Sequence, residues 1–204
     1  MKEPDVTLTD YLLAAECAVF CVLLLREQVR DPLRRWWVIF FASVGLAALI
    51  GGTVHGFLPG NTVLWTATML TLGVTSVAGW FIGSLLLGMR WLRPVAVVLL
   101  GIYAGVVLFV NSTFVVAIAM YLPATVFLLL AMVARYATSR DPGVGIGVAG
   151  LVLTFVAAAV QQLKVGVHPV YFNHNALYHL IQFVALWMIF IAARQLSAHQ
   201  SLNS

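Results

Sequence analysis

Charged side chains are scarce in this sequence. Only 9% of its 204 residues are Asp, Glu, Lys or Arg, and 62% are hydrophobic, whereas soluble domains carry roughly 25% charged residues. This balance excludes a soluble domain and predicts an integral membrane protein. The net charge of +4 does not indicate a nucleic-acid partner, because no basic patch with interleaved aromatic residues accompanies it and excess arginine is typical of membrane-protein loops.

Cysteine is almost absent as well. Cys17 and Cys21 lie four residues apart on one apolar segment, where they would share a helix face. Without further cysteines they are interpreted as small buried thiols rather than a metal site. The start of the chain, residues 1–10, also lacks a signal-peptide pattern. The first apolar segment is therefore expected to stay in the membrane.

Long polar stretches are missing, which leaves no room for a soluble domain. Apolar runs near the roughly 20 residues needed to cross a bilayer recur seven times. They lie at about 9–26, 36–57, 62–89, 92–110, 113–134, 144–163 and 171–194. The sequence therefore predicts an all-α integral membrane protein, a single seven-transmembrane helix bundle over residues 1–204.

The basic residues are unevenly distributed between the predicted loops. Of the 11 Lys and Arg residues, all except Lys2 and Lys164 lie on one side of a seven-span topology. Because cytoplasmic loops are enriched in Lys and Arg, the N-terminus is predicted outside and the C-terminus in the cytoplasm. The protein is expected to be multi-pass in the plasma membrane, and the short loops favour a bacterial cytoplasmic membrane.

A retinal site and a dinucleotide site are both excluded, because each lacks a residue that it requires. A retinal protein needs a lysine within its last span, and residues 171–194 contain none. The G-x-G-x-x-G of Gly145, Gly147 and Gly150 lacks the acidic residue that a dinucleotide site requires, since no Asp or Glu follows Asp141. Glycines four apart favour close helix contacts, within the bundle or in a homo-oligomer. These pairs are Gly52 and Gly56, Gly101 and Gly105, and Gly143 and Gly147.

The histidines are the polar residues that stand out. All five except His199 fall on the predicted outer side: His55 ends the second span, His168 is in the last loop, and His174 and His179 open the seventh span. Polar groups in membrane spans often mark function, and imidazole is a common zinc ligand. A single membrane histidine can also be an ordinary hydrogen-bond partner between helices.

The spacing of the two histidines in the seventh span limits how they can cooperate. His174 and His179 are five residues apart, about 140° of rotation on an ideal helix. They converge only if His174 lies at or before the first turn, where Asn173 is a suitable N-cap. Two acids, Asp10 and Glu16, lie in the first span on the same side. Glu16 is deep enough to need a partner or a bound proton.

Seven spans, His55 late in the second and the stretch "HNALYH" at 174–179 resemble the alkaline ceramidase and adiponectin-receptor superfamily of membrane hydrolases. The predicted orientation is similar to that of the alkaline ceramidase branch. The resemblance implies a zinc ion held by His55, His179 and a further histidine of the seventh helix. The zinc-bound water would attack a lipid amide.

The sequence departs from that family's motif at three positions. Asn175 stands where the first ligand of the seventh helix is expected, with His174 shifted by one residue. Gly51 replaces an expected serine, although Thr53 is close by, and Thr66 stands near the expected aspartate of the third helix. The resemblance therefore implies His55, His174 and His179 as zinc ligands. Proton transfer would fall to Asp10 or Glu16, and Thr53 would assist.

The resemblance thus implies a zinc-dependent membrane hydrolase that acts on a lipid amide or ester at the outer membrane face. One alternative is a non-catalytic relative that binds or senses a membrane lipid. Another is a transport or haem-binding protein that uses the same histidines as a proton relay or as axial ligands.

Overall fold

Seven α-helices make up the bundle in the computed structural model, which describes residues 1–27, 31–168 and 171–200, without the side chains of 199 and 200. All seven are long and apolar enough to cross a membrane, so the predicted architecture is confirmed. The helices are α1 (Pro4–Arg26), α2 (Pro32–Gly56), α3 (Thr62–Leu87), α4 (Leu92–Phe109), α5 (Phe114–Ser139), α6 (Pro142–Gln162) and α7 (His174–Gln200).

Several helices are longer than their apolar runs. Helix α1 begins at Pro4 rather than near residue 9, since proline is tolerated in a first turn and Asp5 in that turn suits the positive end of the helix dipole. Helices α5 and α7 continue to Ser139 and Gln200, past the predicted ends at 134 and 194. Hydropathy marks the part of a helix that lies in hydrocarbon, whereas backbone hydrogen bonding continues into polar residues.

Side-chain caps fix where three of the helices start. Asp31, Asn61 and Asp141 each accept a hydrogen bond from a backbone N–H in the first turn of α2, α3 and α6. Short polar residues at this position satisfy donors that have no partner within the helix. The caps therefore fix the residues at which the preceding loops end and α2, α3 and α6 begin.

Six of the seven helices close into a ring. Neighbours around it are α1 and α2, α2 and α3, α3 and α5, α5 and α6, α6 and α7, and finally α7 and α1. Helix α4 lies outside the ring and packs mainly on α3. We call the end of the bundle where α1, α3, α5 and α7 begin the histidine end, and the opposite end the arginine end.

The arginine end of the ring is closed by packed aromatic rings and an ion-pair network. Phe20 of α1 stacks on Phe190 of α7, with ring centroids 4.2 Å apart. Glu27 pairs with both Arg34 and Arg194 at 2.9 Å. Together these contacts join α1, α2 and α7 at this end.

Candidate functional site

The ring of six helices encloses a cavity of about 350 Å³. Near the histidine end the lining is mostly polar, with Asp10, His55, Gln161, Asn175 and His179 beside the aromatic rings of Trp65 and Phe114. Towards the arginine end it is apolar, and Leu13, Val44, Leu128, Leu186 and Ile189 line it there. Hydroxyl and amide groups of Thr75, Ser76, Thr154 and Gln182 also line the cavity. The cavity thus changes from polar to apolar along the bundle axis.

His179 is bound on both ring nitrogens by residues of α1. Its Nε2 lies 3.3 Å from Oδ1 of Asp10, and its Nδ1 lies 3.1 Å from Oγ1 of Thr9. Both side chains of the acid–base pair are largely buried, with 12% of His179 and 7% of Asp10 exposed. Helices α1 and α7 are therefore joined by a polar contact at the edge of the cavity.

The hydroxyl of Thr9 indicates which tautomer of His179 is present. Its Oγ1 also lies 2.9 Å from the carbonyl of Asp5 and 3.0 Å from that of Val6, as threonine in a helix commonly donates to its own backbone. With its hydrogen used there, Thr9 accepts from Nδ1–H of His179. The Nε2 lone pair then faces Asp10, and one proton lies between the two groups. The pair carries no net charge in that arrangement, which suits a membrane interior.

His55 stands between the cavity and a second, smaller space. Its Nδ1 lies 2.8 Å from Oε2 of Glu3, and its ring is edge-on to Trp65. Both His55 and Trp65 also line a space of about 280 Å³ at the histidine end, together with Glu3 and Asn61. We call this space the vestibule. His55 and Trp65 are thus the shared wall between the vestibule and the cavity.

The start of α7 places Asn175, rather than His174, in the cavity wall. Asn173 caps the helix by accepting from the backbone N–H groups of Asn175 and Ala176, which confirms the predicted N-cap. His174 is the first residue of α7 and is not among the residues that line the cavity. The amide of Gln161 approaches Oδ1 of Asn175 at 3.5 Å. Two neighbouring amides therefore complete the polar region.

The other two proposed catalytic residues lie away from the cavity. Glu16 is buried, with 6% of the residue exposed, and neither carboxyl oxygen has a hydrogen-bond partner among the described residues. Thr53 donates to the carbonyl of Leu49 at 2.7 Å and lies 3.0 Å from the hydroxyl of Tyr11. Of the predicted catalytic set, Asp10 is the residue that lines the cavity.

The zinc site implied by the resemblance needs three protein ligands around one point. Within the described ranges, no three side chains of His, Cys, Asp or Glu come together as a metal site. His55 and His179 do face one cavity with Asp10, while His174 does not. The described residues therefore do not fit a three-histidine centre, and zinc binding stays a prediction.

Sequence reasoning missed the residues that support His55 and His179. Thr9 and Glu3 contact the two imidazoles, and Gln182 lines the cavity one turn beyond His179. The spacing of three residues between His179 and Gln182 was a usable signal, because such residues are neighbours on a helix surface. The partners from α1 carry no such signal, since they depend on how distant helices pack.

Comparison with known proteins gives a family and no characterised relative. Neither a curated protein nor a solved structure matches the chain. Residues 6–198 match one protein family, and this range covers almost the whole seven-helix bundle. The chain therefore belongs to DUF6962, a family of unknown function.

Proposed function

We propose that this protein binds a membrane amphiphile inside the ring of helices. The observation that carries the proposal is the polarity of the cavity, which is polar at the histidine end and apolar towards the arginine end. Its volume of about 350 Å³ lies within the roughly 300–1,000 Å³ of typical ligand sites. An amphiphile would place its head group beside Asp10, His55 and His179 and its chain along the apolar wall.

The polar end offers both kinds of hydrogen-bonding group to a ligand. The proton between Asp10 and His179 can be donated to an oxygen of the head group, and the carboxylate can accept in return. Their burial excludes bulk water, so a hydrogen bond to a ligand has less competition there than at the surface. This pair supports recognition of a neutral head group, because the pair itself carries no net charge that would attract an ionic one.

The vestibule supports an entry route at the histidine end. A ligand that leaves the membrane surface would pass His55 and Trp65, which separate the vestibule from the cavity. The 2.8 Å contact between His55 and Glu3 joins this wall to the residue that precedes α1. Helices that begin or end at this point therefore form the mouth of the proposed site.

A cavity-filling substitution tests the proposal. A Cβ placed on Gly79 would meet Ala124 only at an ordinary 3.8 Å, and Gly79 lines the cavity. Gly79→Leu therefore adds a Cβ without a close contact, and its longer side chain is expected to reduce the ligand space. The matched control is Gly101→Leu on α4, where a Cβ has no neighbour within 4 Å.

Binding of a radiolabelled long-chain monoalkylglycerol would be measured with each variant in lipid nanodiscs. We expect Gly79→Leu to weaken binding at least about tenfold, a loss of about 1.4 kcal/mol, because its side chain takes up space that the ligand would occupy. Gly101→Leu should bind as the wild type does. Equal binding by all three proteins, or no saturable binding by the wild type, would contradict the proposal.

A zinc-dependent hydrolase acting on a lipid amide or ester is the second candidate. It is favoured by one observation, namely that two imidazoles and a carboxylate, from His55, His179 and Asp10, line the same cavity. The test is metal analysis of the purified protein together with hydrolysis of fluorogenic lipid amides and esters. Stoichiometric zinc that is lost in His55→Ala and His179→Ala supports this candidate. Wild-type protein without zinc contradicts it, and a haem absorption band would indicate a different cofactor.

A further inference from the structure

Gln182 is a buried polar residue in the middle of the cavity whose hydrogen bonding is incomplete. It lines the cavity on α7, and 8% of the residue is exposed. Its Nε2 donates to Oγ1 of Thr154 on α6 at 3.3 Å. No donor among the described residues reaches its Oε1. A buried acceptor without a donor is destabilising, so this amide needs a partner that the described chain does not supply.

The orientation of the Gln182 amide follows from its neighbour. Oγ1 of Thr154 lies 3.2 Å from the carbonyl of Gly150 and donates its hydrogen there. Thr154 can then only accept from Gln182, which assigns Nε2 to that contact and leaves Oε1 as the unmatched atom. The terminal torsion of glutamine is soft, so a small rotation brings Oε1 to a group that enters the cavity.

The hydroxyls around Gln182 do not supply the missing donor. Ser76, Thr68 and Thr125 line the cavity, and each donates its hydrogen to a carbonyl of its own helix. They present oxygen lone pairs to the cavity, as Oε1 of Gln182 does. Tyr121 and Tyr178 also line the cavity, and neither hydroxyl reaches Oε1 of Gln182. At Gln182 the complementary ligand group is therefore a donor.

We infer that Gln182 selects amphiphiles with a hydroxyl or N–H donor just inside the head group. Gln182 is three residues beyond His179, which corresponds to about 4.5 Å along the helix axis. A head group bound at His179 and Asp10 would place its second polar atom at the depth of Gln182. This inference rests on the proposed amphiphile site and names the chemistry that the site prefers.

The experiment compares two competitors against the radiolabelled monoalkylglycerol in nanodiscs. One is the unlabelled monoalkylglycerol, and the other is the same ether without its central hydroxyl. Each is titrated into wild type, Gln182→Met and Gln162→Met. Methionine matches glutamine in size but cannot accept the bond, and Gln162 is exposed at the end of α6 and is a suitable control. Comparing the ratio of the two competitors' apparent affinities between variants cancels their different partitioning into the bilayer, because partitioning is the same for every protein.

We expect the wild type and Gln162→Met to prefer the hydroxylated compound about three- to tenfold more strongly than Gln182→Met does, as is typical for one buried hydrogen bond. If Gln182→Met does not fold, Thr154→Val serves as the second variant, because it releases the amide that Thr154 holds and should reduce the same preference. An unchanged preference in the folded variant overturns the inference and leaves the proposed binding function intact. Failure of both competitors to displace the label from the wild type overturns both.

Discussion

A histidine inside a membrane helix is most stable when each ring nitrogen has a partner, and His179 finds both on α1. Thr9 holds Nδ1 and Asp10 faces Nε2, so the imidazole is fixed in position at the cavity edge. The same contacts join the first and last helices of the chain. Asp10 and His179 are therefore candidate ligand-binding residues, and their contact also links α1 to α7.

Removing the carboxyl group of Asp10 should lower the stability of the bundle, because it breaks the contact between α1 and α7. Asp10→Ala leaves Nε2 of His179 without its partner, and we expect a loss of about 1–3 kcal/mol in the free energy of unfolding. Asp10→Asn keeps a donor for Nε2 and should cost less than half as much. Thermal unfolding in detergent, followed by circular dichroism, would measure both. Equal losses for the two variants would argue against hydrogen bonding as the cause.

The identities of the site residues were partly accessible from the sequence. His55, His179 and Asp10 were predicted because polar residues in apolar segments are conspicuous, and the structure places them on one cavity. The role of His174 depended on backbone geometry at the start of α7, which spacing alone does not determine. The unmatched amide of Gln182 depends on Thr154, a residue of another helix, and is visible only in three dimensions.

At the scale of helices, close contact between α1 and α2 positions the site. A Cβ on Gly52 would lie 2.7 Å from Cβ of Asp10, and one on Gly56 would lie 2.6 Å from Oγ1 of Thr7. These glycines let α1 approach closely, as small residues do at membrane helix interfaces. By contrast, the similar pair Gly101 and Gly105 has no neighbour within 4 Å in the described chain.

Gly52→Ala should separate α1 from α2 near Asp10. We expect it to lower the free energy of unfolding by about 1–3 kcal/mol, because the added methyl group overpacks the interface. Gly101→Ala is the matched control on the exposed face of α4 and should change stability by less than about 0.5 kcal/mol. Thermal unfolding of both variants measures the two changes in stability. Similar stability for the two would mean that α1 and α2 are not held together at Gly52.

The number and approximate positions of the helices were predictable, because the apolar runs are long and the loops are short. Their ends were not, since they depend on caps and on packing beyond the hydrocarbon. Helix α1 gains its first turn from Pro4 and Asp5, which hydropathy does not register. The order of the helices around the ring was also inaccessible, because apolar spans carry little information on their neighbours.

At the scale of the whole molecule, His55, His174 and His179 lie at one end of the bundle and the described arginines at the other, which has a consequence for topology. The excess of Arg at one end predicts that this end is cytoplasmic. Cys17 and Cys21 would first be replaced by alanine, and Lys2→Cys or Arg90→Cys would then be introduced, since both positions are exposed. A membrane-impermeant maleimide should label Lys2→Cys in intact cells and Arg90→Cys only after permeabilisation. The reverse labelling pattern would show that the histidine end is cytoplasmic and contradict the predicted orientation.

The central claim is that an amphiphile lies inside the ring, and photo-cross-linking tests it most directly. A monoalkylglycerol with a diazirine in its chain would be bound to the protein in nanodiscs and irradiated, and the attachment sites would be mapped by mass spectrometry. We expect attachment to cavity residues such as Leu128, Leu186 and Ile189, and its loss in Gly79→Leu. Attachment confined to lipid-facing residues, such as Ile102 of α4, would contradict the account.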